Sequence, residues 1–537
     1  MKLLQVGEEK MKRYHQAVWD EPIIFEIGQK GARGCTIPEA EEEIKAAVGD
    51  VLSTIPPKMR RKQPPELPEV SEPEVTRHYL RLSQQALGEL GLQIGHGTST
   101  VKYNPKVNEA LARSPQMADI HPLQDDSTVQ GILEVLYKAS RWLCEIAGMD
   151  QLTFQPAGGA HAEFTMAAIV RAYHRYNGEL DRRTEMIVPI KSHPGDASSS
   201  AVAGFKVVAV YPDETGTVPV EAVKAAVSKH TAGMMMTNPQ EYSIFDRNVE
   251  EHAKIVHEVG GLMCYDMANF NGLLGVTRAG DMGFDMGHFN IHKTFASPHG
   301  SSGPGCGPVC VKERLGMFLP VPVVEFDGSR YYLDYDRPYS IGKVRGFYGN
   351  VSNVLRAYAW MMTLGAEGLR EVAEVATLNA NYLTKKLAEL RGIEPLMGVN
   401  PYRPRLGQAE FSLDQLKRDT GIGLKEVNMR MIDHGMLPCE TGHTPYLLTE
   451  NPCALEPTES VSKRDLDEYI EAFRQTLEEA YTKPDIVKTA PHSTAISRVD
   501  TSVAYKPEEW ALTWRAYKKK HKIPKDTCRR YEIGSYV

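Results

Sequence analysis

The sequence predicts an α/β protein with a mainly parallel sheet covered by helices on both faces, followed by a smaller α+β domain. Three observations point there. Short apolar runs recur at 186–190, 207–211, 234–237, 262–266 and 288–291. Amphipathic segments lie between them, and runs apolar on both faces with helices between them are the mark of strands buried from both sides. The chain has 537 residues, 42% of them hydrophobic, enough for at least two domains with substantial cores.

Residues 1–75 read as an N-terminal arm. They are rich in proline and charge, as in Ile55-Pro56-Pro57-Lys58 and Pro64-Pro65-Glu66-Leu67-Pro68. With so little apolar periodicity the arm is expected to wrap another surface rather than build its own core. Residues 76–340 form the large domain. There Pro219 opens a helix with Val220, Val223 and Val227 on one face. Asn248 with Glu251 three residues on resembles a capping box, and that helix ends at Gly260-Gly261. Residues 341–537 make the smaller domain: a long helical stretch over 352–390, a strand near 410–413, and a helix with Leu466, Ile470, Phe473, Leu477 and Tyr481 at helical spacing. Ser462 and Asp465 can cap that last helix.

Charge and cysteine usage exclude several classes. Lys and Arg number 62 against 69 Asp and Glu, a net −7, and the run Lys518-Lys519-Lys520 is too short for a nucleic-acid footprint. The N-terminus lacks a signal-peptide core and no stretch reaches the ~18 apolar residues of a membrane span, so a cytoplasmic chain with neither nucleic-acid nor membrane partners is expected. The eight cysteines form no CxxC pair and are expected as free thiols. Cys306 and Cys310 near His299 match no common zinc spacing, and no metal is expected.

The chemistry-bearing pattern is a strand ending in an acid, then a strand ending in a lysine. Asp266 closes one apolar run and Lys293 another, 27 positions later. Pyridoxal phosphate needs such a pair: a lysine to hold it, and a carboxylate to keep its pyridine nitrogen protonated. In parallel sheets both residues would sit beyond the carboxyl ends of the strands, where ligands gather. Gly158-Gly159-Ala160-His161 precedes a helix through Glu163, Met166 and Ala167. Its amides can hold a phosphate, or it is an ordinary loop-to-helix turn. His193 follows the run 186–190, where an imidazole can lie flat on a cofactor ring or serve the structure alone. The glycine-dense loop 299–308 either lets backbone approach a ligand or is simply mobile.

At the lysine the chain resembles a known family. His292-Lys293-Thr294-Phe295, Pro298-His299-Gly300 and Gly303-Pro304-Gly305 resemble the cofactor-lysine region of glycine dehydrogenase (decarboxylating), the P-protein of the glycine cleavage system. The resemblance extends through Ser71-Glu72-Pro73-Glu74, Lys102-Tyr103-Asn104-Pro105, His121-Pro122-Leu123-Gln124, Thr128-Val129-Gln130-Gly131, the run 280–285, Leu319-Pro320-Val321-Pro322 and Glu456-Pro457-Thr458-Glu459. A chain of this length without a second homologous half is similar to subunit 2 of the two-subunit form. The resemblance implies the transferase fold type I with a seven-stranded-type sheet. It also implies that Lys293 forms the Schiff base, Asp266 pairs with the pyridine nitrogen, Ala268 lies under the ring, His193 stacks on it, and Gly159, Ala160 and Thr294 contact the phosphate. Lys293, His193 and Asp266 would be the catalytic set. It further implies a small amino-acid substrate, glycine, loss of carbon dioxide, and passage of the aminomethyl group to lipoylated H-protein in partnership with subunit 1.

The chain departs from the family pattern around the pocket. The stretch 94–101, with His96, is atypical, an asparagine after the stacking histidine is replaced by Asp196, a glycine by Ala162, and two loop glycines by Ser301 and Ser302. An added carboxylate beside the cofactor would discourage an anionic substrate unless a cation answers it. A paralogue acting on another amino acid or amine is the alternative this leaves, and a non-catalytic assembly subunit the second.

Overall fold

The computed structural model describes residues 14–34, 38–63, 65–88, 102–240, 243–299, 305–396, 400, 402–441 and 449–523. His96, Ser301 and Ser302 lie outside them.

A seven-stranded sheet organises the large domain. Its strands are β1 Gln151–Thr153, β2 Glu185–Pro189, β3 Lys206–Val210, β4 Thr231–Thr237, β5 Leu262–Met267, β6 Met286–Phe289 and β7 Val309–Val311, in the spatial order β1-β7-β6-β5-β4-β2-β3. The pairs β2/β3, β2/β4, β4/β5 and β5/β6 are parallel, and β7 runs antiparallel to both β6 and β1. The five apolar runs correspond to β2–β6. The run at 288–291 is displaced, because β6 ends at Phe289 and Ile291 already begins a short helix.

Alternation explains why these strands read as continuous apolar runs. Ile187, Met234, Met236, Met263, Tyr265 and Met267 pack into one core. Met186, Val188, Met235, Leu262, Cys264 and Met286 pack into another. Successive side chains point to opposite faces, so two separate cores mean both faces are buried. Helices α1 (Gln130–Ala147) and α4 (Val249–Glu258) supply the first core, and α2 (Gly159–Tyr176) the second. Helix α3 (Pro194–Val202) follows β2, and α5 (Ile291–Thr294) follows β6.

Beyond the sheet, α6 (Val351–Ala388) bends at Gly365, whose φ of 64° and ψ of −177° interrupt the helix. A third core holds Leu383, Phe411, Val427, Leu455, Phe473 and Leu477. It joins the end of α6, the antiparallel pair β10 (Ala409–Ser412) and β11 (Pro452–Leu455), α7 (Leu424–Asp433) and α8 (Lys463–Thr482). The hairpin β8 (Val323–Phe326) and β9 (Tyr331–Asp334) stands apart from both sheets. Ser462 and Asp465 form the expected reciprocal cap: Ser462 N–H donates to Oδ2 at 3.1 Å and Asp465 N–H to Oγ at 3.2 Å. Asn248 does not cap α4. Its side-chain amide donates instead to the Val218 carbonyl at 3.0 Å, a tertiary contact that outcompetes the local one.

The chain divides into two compact units. One unit comprises 1–13 and 89–490, the other 14–88 with 491–537. The arm is held by the C-terminal segment: Phe25 stacks on Trp514 at 5.1 Å, Gln16 N–H donates to Ser493 O at 2.9 Å, and Lys518 pairs with Glu66. Two segments poor in apolar residues thus share aromatic and ionic contacts that neither has alone. The cysteines differ from expectation as well. Cys439 and Cys453 are joined as a disulfide, because the antiparallel bridge between Glu440 and Ala454 sets their chains side by side. Cys144, Cys264, Cys306 and Cys310 are free and buried.

Candidate active site

The site is built at the carboxyl ends of β4, β5 and β6. Parallel pairing puts Thr237, Asp266 and His288 in one lateral row. Asp266, 1% exposed, is answered from three directions. Thr237 Oγ1 lies 3.2 Å from Oδ2, the Ala268 N–H donates to Oδ1 at 2.8 Å, and His288 Nε2 sits 2.9 Å from Oδ1, off the line of an ideal hydrogen bond. Burial alone would push this carboxyl up. The charges of His288, 2.9 Å away, and of His193, with the hydrogen bond from Ala268, overcome it and hold Asp266 well below the usual carboxylate range.

Lys293 lies on α5, one strand over, and is 8% exposed. Its neighbour Thr294 is buried, and Thr294 Oγ1 accepts from the Phe270 N–H at 3.0 Å, which ties the turn after Asp266 to the lysine helix. Ala268, in that turn, is also buried. The next residue but two, Asn271, donates to Glu456 Oε1 at 2.8 Å. Burial pushes the Glu456 carboxyl up, against the pull of Asn271 and the charges of Lys293 and Lys102. Lys102 is itself buried, 3.0 Å from Glu459. His292 beside Lys293 is driven down to about 2, first by burial and then by the charges of His299 and Lys293, so its imidazole is neutral.

The opposite wall is the start of α2. No side chain caps this helix, so the first-turn amides of Gly159 and Ala160 are left to an external partner. A Cβ at Gly159 would come within 3.0 Å of Asn290 Nδ2, and the buried Asn290 Oδ1 has no hydrogen-bond partner. Two described glycines of the loop after Lys293, Gly305 and Gly307, lie against backbone. A Cβ at Gly305 would press to 2.7 Å from Ala157 O, and one at Gly307 to 2.5 Å from Gly158 O, so these glycines let two stretches of backbone touch behind the helix start. Cys306 Sγ faces Phe154 O and Cys310 Sγ faces Gly287 O; burial pushes Cys306 up to about 12 and Cys310 well above its ordinary range, so both remain thiols.

His193 stands between the two walls, capping α3, with its side chain 27% exposed. Its N–H donates to Thr237 Oγ1 at 3.1 Å. One ligating atom each from Glu163, His193 and Asp266 lie within 4.8 Å of one another. Asp196, the departure from the family pattern, is fully buried with Oδ2 3.3 Å from Thr237 Oγ1, so its carboxylate turns into the same polar row. The structure therefore brings Asp266, His193 and Glu163 into one cluster, ties the turn that holds Ala268 both to Asp266 and to Thr294 beside Lys293, and sets Gly159 next to Asn290. The sequence reading gave no role to His288, Thr237, Glu163 or Glu456. The signal for the first two is lateral, a residue level with Asp266 on each neighbouring strand, and a single chain does not display it.

No family model matches the chain. It is 49% identical over 508 residues to a probable glycine dehydrogenase (decarboxylating) subunit 2 of Pyrococcus horikoshii, covering 94% of this chain and 98% of that one. It is 41% identical over 529 residues to the protein of the same description from Staphylothermus marinus, covering 96% and 99%. Among solved structures it resembles an inhibitor-bound glycine decarboxylase (P-protein) of the glycine cleavage system, with TM-score 0.68 and 21% identity over 82% of this chain and 100% of that one.

Proposed function

The chain belongs to the glycine dehydrogenase (decarboxylating) subunit 2 family and has the layered fold of type I pyridoxal-phosphate enzymes, and from that premise we propose that it decarboxylates glycine and passes the aminomethyl group to the lipoyl group of H-protein. It works beside subunit 1 in the cytoplasm, and no helix among the described residues is long and apolar enough to cross a membrane. The observation that carries the site reading is Asp266: a buried carboxylate held ionised by three partners, one strand from a buried lysine.

The residues present fit the cofactor. Asn290 offers an orphaned buried amide oxygen, Gly159 leaves a cradle that a Cβ would narrow, and the uncapped start of α2 offers amides to a phosphate. Bound here, pyridoxal phosphate supplies the electron sink for the pair left behind when carbon dioxide departs. Lys293 provides the amine that holds it, in a setting from which water is largely excluded. Asp266 keeps a proton on the pyridine nitrogen, because an ionised buried carboxylate makes the loss of that proton costly. Ala268 and His193 would be the residues that border the ring. The amides of Gly159 and Ala160 take phosphate oxygens, and the Thr294 hydroxyl, already an acceptor from Phe270, keeps its own hydrogen to donate.

Exchange of labelled bicarbonate into the glycine carboxyl, with subunit 1 and lipoylated H-protein supplied, tests this reading. Exchange in the wild type that disappears in Lys293→Ala supports it. No exchange with partners proven active on another subunit 2 refutes it.

A further inference from the structure

Glu163 is a fully buried carboxylate on the first turns of α2, and the steps above do not use it. Its Oε1 lies 3.1 Å from His193 Nδ1 and makes no well-aligned hydrogen bond, while Oε2 is 3.4 Å from Ser199 Oγ. The same Nδ1 accepts from the Gly195 N–H at 3.0 Å. These two neighbours ask opposite things of one nitrogen: the amide needs its lone pair, and the carboxylate needs a proton on it. Gly195 also shows how closely the carboxylate is fitted. A Cβ there would stand 1.9 Å from Glu163 Oε2 and 2.6 Å from Nδ1, so only glycine admits Glu163 to this position.

We propose that Glu163 is the positioning residue of His193, accepting a hydrogen bond from Nδ1–H when the imidazole is charged and leaving Nδ1 to accept from the Gly195 amide when it is neutral. Each protonation state of the ring thus has a named partner at Nδ1, and a carboxylate left buried without a donor costs more than an unanswered neutral amide. Other charged groups around the histidine are Asp266 at the end of β5 with His288 beyond it, Asp196 on its own helix, and Lys191, which lies two residues before it and is 3.9 Å from Glu410. Asp266 also feels the histidine's charge and Asp196 turns into the same row, so the test changes Glu163 alone and leaves both carboxylates intact. The inference rests on the reading of His193 as a residue that borders the cofactor, but the pair itself is testable without any cofactor.

The test is the pH profile of diethylpyrocarbonate modification of His193, read by peptide mass spectrometry on the cofactor-free full chain. Glu163→Gln is expected to lower the midpoint by about one pH unit, because an opposite charge within ~4–6 Å raises a histidine by that order. Glu163→Asp is expected to restore part of the shift, which a packing role would not do. An unchanged midpoint in a Glu163→Gln chain with a wild-type circular dichroism spectrum overturns the proposal. If that variant does not fold, wild-type 15N signals of His193, assigned by their loss in His193→Asn, decide instead. Above the midpoint Nδ1 should be bare and Nε2 protonated, and the reverse tautomer overturns the proposal. Failure of bicarbonate exchange with an intact midpoint shift would refute the functional reading and leave the pair standing.

Discussion

Two buried carboxyls flank Lys293, one at the end of β5 and one just past β11, and they are shifted in opposite directions. Asp266 is held far down and Glu456 is pushed up. Both are removed from water, and in both burial is the largest influence. What separates them is the company. Asp266 meets the charges of two histidines, an amide and a hydroxyl, whereas Glu456 meets the neutral amides of Asn271 at 2.8 Å, Gln408 at 3.5 Å and Asn269, with lysines acting at longer range. Partners, more than depth, decide which of two buried acids is charged.

The largest expected effect breaks the arrangement at its centre. Lys293→Ala should abolish both the cofactor's visible absorbance and bicarbonate exchange, measured on the same preparation. Next, Asp266→Asn should lower kcat by on the order of 10²–10³, the scale of losing one electrostatic contact to developing charge, with the cofactor still bound by equilibrium dialysis. His288→Ala tests whether company is what sets Asp266. Removing one partner of a buried pair costs about 3–5 kcal/mol, read as a lowered denaturant midpoint. Glu456→Gln should cost under about 1 kcal/mol at neutral pH, since the amide oxygen can still accept from Asn271.

The same comparison has a pH signature. Asp266 lies below its ordinary 3.8 in the folded chain, so its contribution is present above 3.8 and is lost as pH falls toward the folded value. Glu456 lies above its ordinary 4.5, so its contribution is complete below 4.5 and declines as pH rises toward the folded value. Denaturation curves of Asp266→Asn should therefore lose the acid-side fall, and those of Glu456→Gln the decline above 4.5. A last effect lies far from both acids: Ser462→Ala should cost about 1 kcal/mol through its lost cap and leave kcat unchanged.

The central strands were legible because each is apolar on both faces, and the site lysine and aspartate because each closes such a run. The edge pair β1 and β7 was not: three residues apiece, one of them behind a glycine loop, give no period to read. His288 sits inside a run whose apolar neighbours conceal it, and its meaning comes from the strand beside it. Asn248 carried a valid local cap signal that a tertiary acceptor overrode. Glu163 looked like one polar position on a helix, because the loop that brings His193 to it begins some thirty residues later in the chain. The disulfide was hidden for a related reason, since pairing two thiols depends on a bridge between segments that spacing alone does not show.

The row Thr237–Asp266–His288 has a consequence for how the sheet assembles. Strands apolar on both faces are poorly keyed to one another, because sliding one by a residue merely exchanges one greasy surface for another. A slip of β4 against β5 would, however, cost the buried Asp266 charge its Thr237 partner, and a slip of β6 would cost it His288. The polar row thereby acts as a set of alignment pins for the sheet, and the register that forms is the one in which the buried anion keeps its neighbours on both adjoining strands.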